Sequence, residues 1–124
     1  MIFVDTCILI DYSKDRIDID ETLFKNFYIN SIVQLELLVG ALNKRELKKL
    51  NEILAKCKLL ELDQDIMNLS VELMNRYGLS HSMGIYDSII ASTCMIYDLP
   101  LWTHNKKDFR YRIGFVKSKN KRRQ

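Results

Sequence analysis

The chain has 124 residues, 48% of them hydrophobic, which fits one folded domain and excludes a wholly disordered chain. No apolar run approaches the ~20 residues that a membrane span needs, and the N terminus shows no signal-peptide pattern, so we expect a cytoplasmic protein with no membrane partner. The formal net charge is +3, and five basic side chains lie in residues 117–124, which contain no acid. We therefore predict a single domain over residues 1–116 and a basic tail over residues 117–124. The tail either attracts phosphate groups or is simply a solvated terminus.

The first part of the chain alternates short apolar runs with helical patterns. Residues 2–4 form an apolar run that predicts a buried strand, and Thr6 is a candidate N-cap for the helix that follows. A short helix is predicted around Leu23 and Phe24, and a second strand over residues 27–29. These elements set up a strand–helix alternation from the start.

The second strand leads into a helix that is apolar on almost every side. Ser31 is its candidate N-cap, and the pattern predicts a helix over residues 32–42 that is buried all round. The next helix, predicted over residues 44–56, has one leucine-rich stripe and lysines on the opposite face.

The rest of the chain continues the alternation. Predicted strands cover residues 59–62 and 101–103, with a weak one at 115–116, and predicted helices cover 64–77, capped by Asp63, and 85–97. Such alternation indicates an α/β fold with a mostly parallel central sheet of four or five strands flanked by helices. The three cysteines, Cys7, Cys57 and Cys94, show no metal-binding spacing, and we expect them to be small buried side chains.

Polar residues follow the first and the last clear strand. Asp5 comes directly after residues 2–4, and His104 and Asn105 come directly after Thr103. Because the carboxyl ends of parallel strands share one edge of a sheet, we expect these residues to lie near one another.

Two further acids stand out against apolar surroundings. Glu36 lies in the middle of the apolar helix, and Asp87 lies in the first turn of the helix over 85–97, where Ala91 and Cys94 on its own face are small. Burying a carboxylate without a partner is costly. The alternatives are helix-terminal roles for Asp5 and Asp87, and either partial exposure of Glu36 or an ion pair with Arg76.

Clustered carboxylates repel one another, and a divalent cation removes that repulsion. Oxygen ligands favour Mg²⁺ or Mn²⁺, one ion or two, with water completing the coordination shell. Such a site suits phosphodiester hydrolysis, because the metal positions the phosphate and lowers the pKa of a bound water. The residue types therefore indicate a metal-dependent nuclease, although their spacing alone identifies no family.

Four stretches resemble the motifs of PIN-domain proteins. The first resembles the family's opening motif, in which a strand leads to an aspartate, here Asp5, followed by Ser or Thr, here Thr6. The second has Glu36 in a helix just after a strand. Asp87 begins the third, and residues 101–109 form the fourth. The match covers nearly the whole chain in order. Any one motif is weak, but the four together are fairly specific, and the size is similar to that of VapC-type toxins of toxin–antitoxin pairs.

The resemblance implies a PIN-like fold, a Mg²⁺- or Mn²⁺-dependent endoribonuclease, a homodimer and a small antitoxin that blocks the site. Asp5 and Asp87 carry over as direct metal ligands, and Glu36 as a third acid that binds the metal through water or orients the hydrolytic water. Many members place an acid at the position of Asn105, so Asp108 either substitutes for that acid or only caps a turn. A second metal ion is therefore an open question.

Several residues near the predicted site are candidates for contacting RNA, namely Thr6, Thr103, His104, Lys106 and Lys107. Cations there would bind phosphates without reading sequence. The alternatives are that Thr103 is a structural residue at a strand end and that His104, Lys106 and Lys107 belong to an ordinary solvated surface.

Other protein classes fit less well. A haloacid-dehalogenase-type phosphatase needs a second aspartate where Cys7 stands, a receiver domain usually has adjacent acids at its first strand, and the chain lacks a P-loop. The remaining alternative is a PIN-fold interaction module that binds a protein or RNA without cleaving it.

Overall fold

The computed structural model describes residues 1–105, in which short strands alternate with helices. The strands are β1 (Ile2–Val4), β2 (Phe27–Ile29), β3 (Lys58–Leu59) and β4 (Leu101–Trp102). The α-helices are α1 (Thr6–Ser13), α2 (Ser31–Val39), α3 (Lys44–Ala55), α4 (Gln64–Tyr77) and α5 (Ile85–Tyr97), and a 3-10 helix spans Glu21–Asn26. The predicted α/β class is confirmed.

The four strands form one parallel sheet in the order β3-β2-β1-β4. In the pairing of β1 with β2, Ile2 is opposite Phe27, and in the pairing of β1 with β4, Val4 is opposite Trp102. β1 is therefore central, and both of its neighbours end at the same level. This arrangement brings the residues that follow β1, β2 and β4 to one edge of the sheet.

The strands are short, and their stability comes from burial on both faces of the sheet. Phe3, Val4, Ile29 and Leu101 are fully buried, together with apolar side chains from α1, α2 and α5. Phe27 packs its ring against Trp102 at a centroid distance of 5.7 Å, in an edge-on arrangement that aromatic pairs favour. The core thus fixes the ends of the strands from which the site residues emerge.

Two helix caps differ from the prediction. α1 is capped by Asp5, whose Oδ1 accepts a hydrogen bond from the backbone N–H of Thr6 at 2.7 Å, and not by Thr6. α2 is capped by Asn30, whose Oδ1 accepts from the N–H of Val33 at 3.1 Å, and not by Ser31. In both cases the residue that leaves the strand still has extended backbone, which is the geometry that an N-cap requires.

The prediction that the second helix is buried all round is wrong. α2 ends at Val39 rather than at residue 42, and although Val33 and Leu37 are buried, Leu35 is 64% exposed and Val39 is 83% exposed. A helix lying on one layer of a sheet has only one face to bury, so its other apolar residues face outward. This surface is described with the site below.

The remaining elements agree with the prediction to within a few residues. α4 and α5 have the predicted bounds, α4 with Asp63 as its cap, whereas β3 and β4 are shorter than predicted, because their pairing with neighbouring strands ends early. No helix within residues 1–105 is long and apolar enough to cross a membrane. The predicted strand at 115–116, the boundary at residue 116 and the basic tail lie outside the described residues.

Candidate active site

Three polar residues stand in a row at the carboxyl edge of the sheet. Continued past the strand ends, the two registers place Asp5 beside Asn30 on one side and beside Thr103 on the other. The backbone N–H of Asp5 donates to the carbonyl of Trp102 at 3.0 Å, which continues the ladder to this point. The sequence-based expectation that Asp5 and Thr103 share an edge is therefore correct.

Asp5 is a buried carboxylate, only 5% exposed. Its Oδ1 caps α1, and its Oδ2 accepts a hydrogen bond from the hydroxyl of Thr103 at 2.7 Å. The thiol of Cys7 lies 3.7 Å from the same Oδ2. The carboxylate of Asp5 thus caps α1 and also connects β1 to the residue that follows β4. The helix-terminal role that was the alternative for Asp5 is therefore compatible with a place in the site.

Glu36 is connected to Asp5 through the residue between them in space. The hydroxyl of Thr6 donates to Oε1 of Glu36 at 2.8 Å, while the backbone of Thr6 donates to Asp5. Glu36 is partly exposed, as one of the alternatives proposed, and the other alternative is wrong, because Arg76 pairs with Glu72 at 3.4 Å. Thr6 therefore holds two carboxylates from two different elements.

Burial raises the pKa of both carboxyl groups. For Asp5 the desolvation outweighs the hydrogen bonds from Thr103 and Thr6, which favour the charged form. For Glu36 burial is again the largest cause, the hydrogen bond from Thr6 opposes it, and the charge of Asp5 adds to the increase in pKa. Within residues 1–105 neither carboxylate forms a salt bridge. This pair of acids is therefore electrostatically poised to gain from a cation.

Cys7 is not a nucleophile. Burial, followed by the charge of Asp5, raises the pKa of its thiol to about 11. The thiol is then protonated at neutral pH, and only a thiolate attacks efficiently. Cys7 acts as a packing residue between Asp5 and Thr103, whose hydroxyl lies 3.7 Å from its sulfur. The cysteines were expected to be buried, and Cys94 is buried, whereas Cys7 and Cys57 are partly exposed free thiols.

Asp87 lies in the first turn of α5 and is partly exposed. Its Oδ2 is close to Gly84, 3.8 Å from where a Cβ would stand on that residue. Gly84 caps the helix without a side chain, so Asp87 is the acid near this positive helix terminus. Further along the same face, Ala91 and Cys94 are buried. Burial is the largest cause that raises the pKa of the Cys94 thiol, and the charge of Asp5 raises it further. This face of α5 is therefore part of the core at Ala91 and Cys94.

The segment after β4 is fastened to α1. The Nε2 atom of His104 lies 2.7 Å from Oδ2 of Asp11, and the backbone N–H of His104 faces the sulfur of Cys7 at 3.5 Å. The backbone N–H of Asn105 donates to the hydroxyl of Thr103 at 3.0 Å, and Asn105 itself is exposed. Asp11 is a site-supporting residue that sequence reasoning did not single out, although it is the last residue of the stretch 2–11 that resembles the first PIN-domain motif.

The structure brings Asp5, Thr6, Glu36 and Thr103 into one hydrogen-bonded group. Among the 105 residues described, no three acidic, histidine or cysteine side chains lie close enough to hold a metal ion by themselves. That Asp5, Glu36 and Asp87 form one metal site stays a prediction. Lys106, Lys107 and Asp108 lie outside the described residues, so their predicted roles, and the choice between Asn105 and Asp108, also stay predictions.

The residues that are present fit a magnesium-type ion. Asp5 and Glu36 offer carboxylate oxygens without a salt bridge from the described part of the chain, at a position where burial disfavours their charge. Mg²⁺ keeps several water ligands and is usually held by one or two carboxylates, so it does not need three protein acids in direct contact. The donor set is hard oxygen, which matches Mg²⁺ and Mn²⁺ rather than zinc.

An apolar groove opens beside Glu36. It has a volume of about 450 Å³ and lies between α2 and the start of α5. Its lining consists of Ile32, Leu35, Leu38, Val39 and Tyr86 together with Glu36. The exposed apolar face of α2 is therefore one wall of a groove that reaches a site carboxylate.

The family model for the PIN domain matches residues 2–113. The chain belongs to the PIN-domain family. It is 27% identical over 118 residues to a protein named Ribonuclease VapC from Rickettsia bellii (strain RML369-C), covering 88% of each chain. The predicted PIN-like fold and the resemblance to VapC-type proteins are confirmed.

Solved structures of similar fold include two complexes. A chain of a toxin–antitoxin complex from Klebsiella pneumoniae is 28% identical with a TM-score of 0.75, and the match covers 94% of this chain and 97% of that chain. VapBC2 from Rickettsia felis, bound to a DNA fragment from its promoter, is 25% identical with a TM-score of 0.75, covering 94% and 98%. The match extends across nearly the full length of both chains.

Proposed function

We propose that this PIN domain is a Mg²⁺- or Mn²⁺-dependent endoribonuclease that hydrolyses RNA phosphodiester bonds in the cytoplasm, as the toxin of a toxin–antitoxin pair. The observation that carries the proposal is the buried carboxylate of Asp5, joined through Thr6 to Glu36 at the carboxyl edge of a parallel sheet. The similarity to a protein named Ribonuclease VapC supports RNA as the substrate.

In this proposal Asp5, Glu36 and Asp87 hold the metal, which when bound supplies a water of lowered pKa and neutralises charge on the phosphate. Thr6 and Thr103 keep the carboxylates in place through their hydroxyl groups. Asn105, which is exposed next to the site, would hydrogen-bond a water or a phosphate oxygen. Lys106 and Lys107 follow it directly in the sequence and would bind RNA phosphates.

The test is cleavage of a mixed RNA pool by the purified protein with Mg²⁺, with Mn²⁺ and with excess EDTA. We expect cleavage with either metal and none with EDTA. Asp5→Asn is the matched control, because asparagine keeps an oxygen for the cap of α1 while removing the charge. Cleavage that persists in EDTA or in Asp5→Asn would refute the mechanism, and absence of cleavage under all conditions would favour the interaction-module alternative.

The groove beside Glu36 is our proposed binding site for the antitoxin. An extended or helical segment with apolar side chains would cover Leu35 and Val39, which are otherwise exposed. A basic side chain on that segment would pair with Glu36, the one charged side chain among the described residues of the lining, and so block the site. The similar structure from Klebsiella pneumoniae is a toxin–antitoxin complex, and the one from Rickettsia felis is VapBC2 bound to DNA, which supports a partner for this chain.

The homodimer that the family resemblance implies is also proposed. It rests on the resemblance alone. Light scattering of the purified protein across a concentration series would show a mass of twice 14.7 kDa if the dimer forms. A constant monomer mass up to high concentration would contradict it.

A further inference from the structure

Asn30 uses both ends of its side-chain amide, and each end holds a different helix. Its Oδ1 accepts from the backbone N–H of Val33 and caps α2, while its Nδ2 donates to the hydroxyl of Thr93 on α5 at 2.9 Å. Asn30 and Thr93 are both fully buried. The hydroxyl of Thr93 in turn donates to the carbonyl of Ile89 at 2.8 Å, so it is satisfied as donor and as acceptor.

The two helices that Asn30 joins carry two of the predicted site acids. Glu36 lies on α2, six residues after Asn30, and Asp87 lies on α5, six residues before Thr93. Asn30 itself follows β2, and its place beside Asp5 is fixed by the sheet register. One side chain therefore connects the sheet edge that bears Asp5 to both of the helices that bear the other acids.

Apolar packing does not fill the space between α2 and the first turn of α5. The groove of about 450 Å³ lies there, with Glu36 and Tyr86 in its lining. Where side chains do not interdigitate, nonpolar contacts set the separation of two helices only loosely. A buried hydrogen bond is directional, and breaking it leaves a desolvated polar group, so it fixes the separation more sharply.

We infer that Asn30 and Thr93 are positioning residues for the metal site, because the hydrogen bond between them sets the spacing of Glu36 on α2 relative to Asp87 on α5. This inference rests on the proposed function, since it assumes that these acids share a cation. Both side chains are fully buried and form hydrogen bonds within the protein, so no direct contact with RNA is part of this inference. Their effect passes through the helices that carry the acids.

Asn30→Ser is the principal test variant. Serine is also a good N-cap, so α2 keeps its cap, but its side chain is too short to reach Thr93. The hydroxyl of Thr93 keeps its bond to Ile89, so no buried donor is left without an acceptor. Thr93→Val is the second variant, which removes the acceptor with little change in shape, and Thr93→Ser is the conservative variant that restores the hydroxyl.

Ser70→Ala supplies the matched control. Ser70 is a buried polar residue of α4 whose hydroxyl donates to Ser92 of α5 at 3.0 Å, so its loss also breaks a buried contact to α5. The hydrogen bonds of its hydroxyl go to α4 and α5, and none of them goes to α2. Any effect of general destabilisation on the site should therefore appear in Ser70→Ala as well, in proportion to the drop in melting temperature.

The measurement is the Mn²⁺ dissociation constant of each full-length variant by calorimetry, well below all melting temperatures, followed by kcat and KM on a short RNA. Losing a residue that supports metal ligands typically weakens affinity ~10- to 100-fold. We expect a loss in that range for Asn30→Ser and Thr93→Val, with a fall in kcat and an unchanged KM, and near wild-type values for Thr93→Ser and Ser70→Ala.

Wild-type Mn²⁺ affinity in Asn30→Ser would overturn the inference, as would an equal loss in Ser70→Ala. If Thr93→Val does not fold, Asn30→Ser decides alone. If the wild-type protein binds no Mn²⁺, the proposed metal dependence fails and this inference fails with it. If the wild-type protein binds Mn²⁺ and cleaves RNA while the variants match the control, only the inference fails.

Discussion

The hydroxyl of Thr6 donates a hydrogen bond to Oε1 of Glu36 at 2.8 Å, and this contact joins the start of α1 to the second turn of α2. The same residue donates its backbone N–H to Asp5. That Thr6 contacts the substrate stays a prediction, and in the structure its polar hydrogens point to two carboxylates of its own chain. Its first role is therefore to hold these carboxylates at a fixed spacing.

Replacing Thr6 by valine should lower RNA cleavage ~10- to 100-fold, the loss typical of a residue that supports metal ligands. Valine keeps the shape and the backbone N–H that Asp5 accepts, so α1 retains its cap. Thr6→Ser should restore most of the activity, because serine keeps the hydroxyl. The measurement is single-turnover cleavage at saturating Mn²⁺, and equal activity in Thr6→Val and wild type would contradict the role.

The metal-free protein should lose stability as the pH rises above the ordinary range of carboxyl groups. Burial raises the pKa of Asp5 and Glu36 in the folded state, so the folded protein binds protons more tightly than the unfolded chain. The stability that these two groups contribute is then fully present below the unfolded pKa, ~4, and is lost as the pH rises through the folded pKa. Melting temperatures in EDTA between pH 4 and pH 8 would show the fall.

Asp5→Asn should raise the melting temperature of the metal-free protein at pH 7, because it removes a buried charge and keeps an oxygen for the cap. It should also remove the extra stabilisation that Mn²⁺ gives the wild type, which by linkage grows with metal concentration above the dissociation constant. Thermal unfolding with and without Mn²⁺ measures both effects. A lower melting temperature in EDTA would mean that the hydrogen bonds of Asp5 outweigh its desolvation.

His104 and Asp11 should act as one unit. Their side chains are 2.7 Å apart and each is 19% exposed, and Asp11 also pairs with Arg16 at 3.3 Å. The contact fastens the segment after β4, and with it Thr103, to α1. Asp11→Ala and His104→Ala should each destabilise the fold, with a coupling of ~0.5 to 3 kcal/mol in the double mutant.

The measurement for this pair is a double-mutant cycle by denaturant unfolding, alongside cleavage assays. Because His104 was predicted to contact RNA, the cleavage assay separates two roles. If His104 supports Thr103, Asp11→Ala lowers cleavage as much as His104→Ala does. If His104 contacts RNA directly, only His104→Ala loses RNA affinity. Additive stability effects would show that the contact contributes little.

Val39→Glu should abolish binding of the antitoxin while leaving cleavage near the wild-type rate. Val39 is 83% exposed on the groove wall, so an acid there costs the fold little but places a charge against an apolar partner. Val71→Glu is the matched control, since Val71 is a valine 61% exposed on α4, outside the groove lining. The readout is pull-down of the small protein encoded by the neighbouring open reading frame, co-expressed with each variant. If both variants retain that protein equally, the antitoxin binds elsewhere.

The sequence by itself determined the alternation of strands and helices, because apolar periodicity and capping residues are local properties. The bounds of α4 and α5 followed from Asp63 as a cap and from the helical spacing of leucines and isoleucines. The shared edge of Asp5 and Thr103 also followed, since a parallel sheet forces the carboxyl ends of its strands together. These inferences needed no knowledge of side-chain contacts.

Only the tertiary structure decided which face of α2 is buried and which side chains hold the acids. A helix that is apolar all round gives no signal for the side that meets the sheet, so the exposed groove wall at Leu35 and Val39 was mistaken for core. The contacts of Thr6 with Glu36, Asn30 with Thr93 and Asp11 with His104 each join residues 30 or more positions apart. Such pairs depend on how the elements pack. The residue type fixes which donors and acceptors a side chain has, but only the tertiary structure fixes which residue it bonds to.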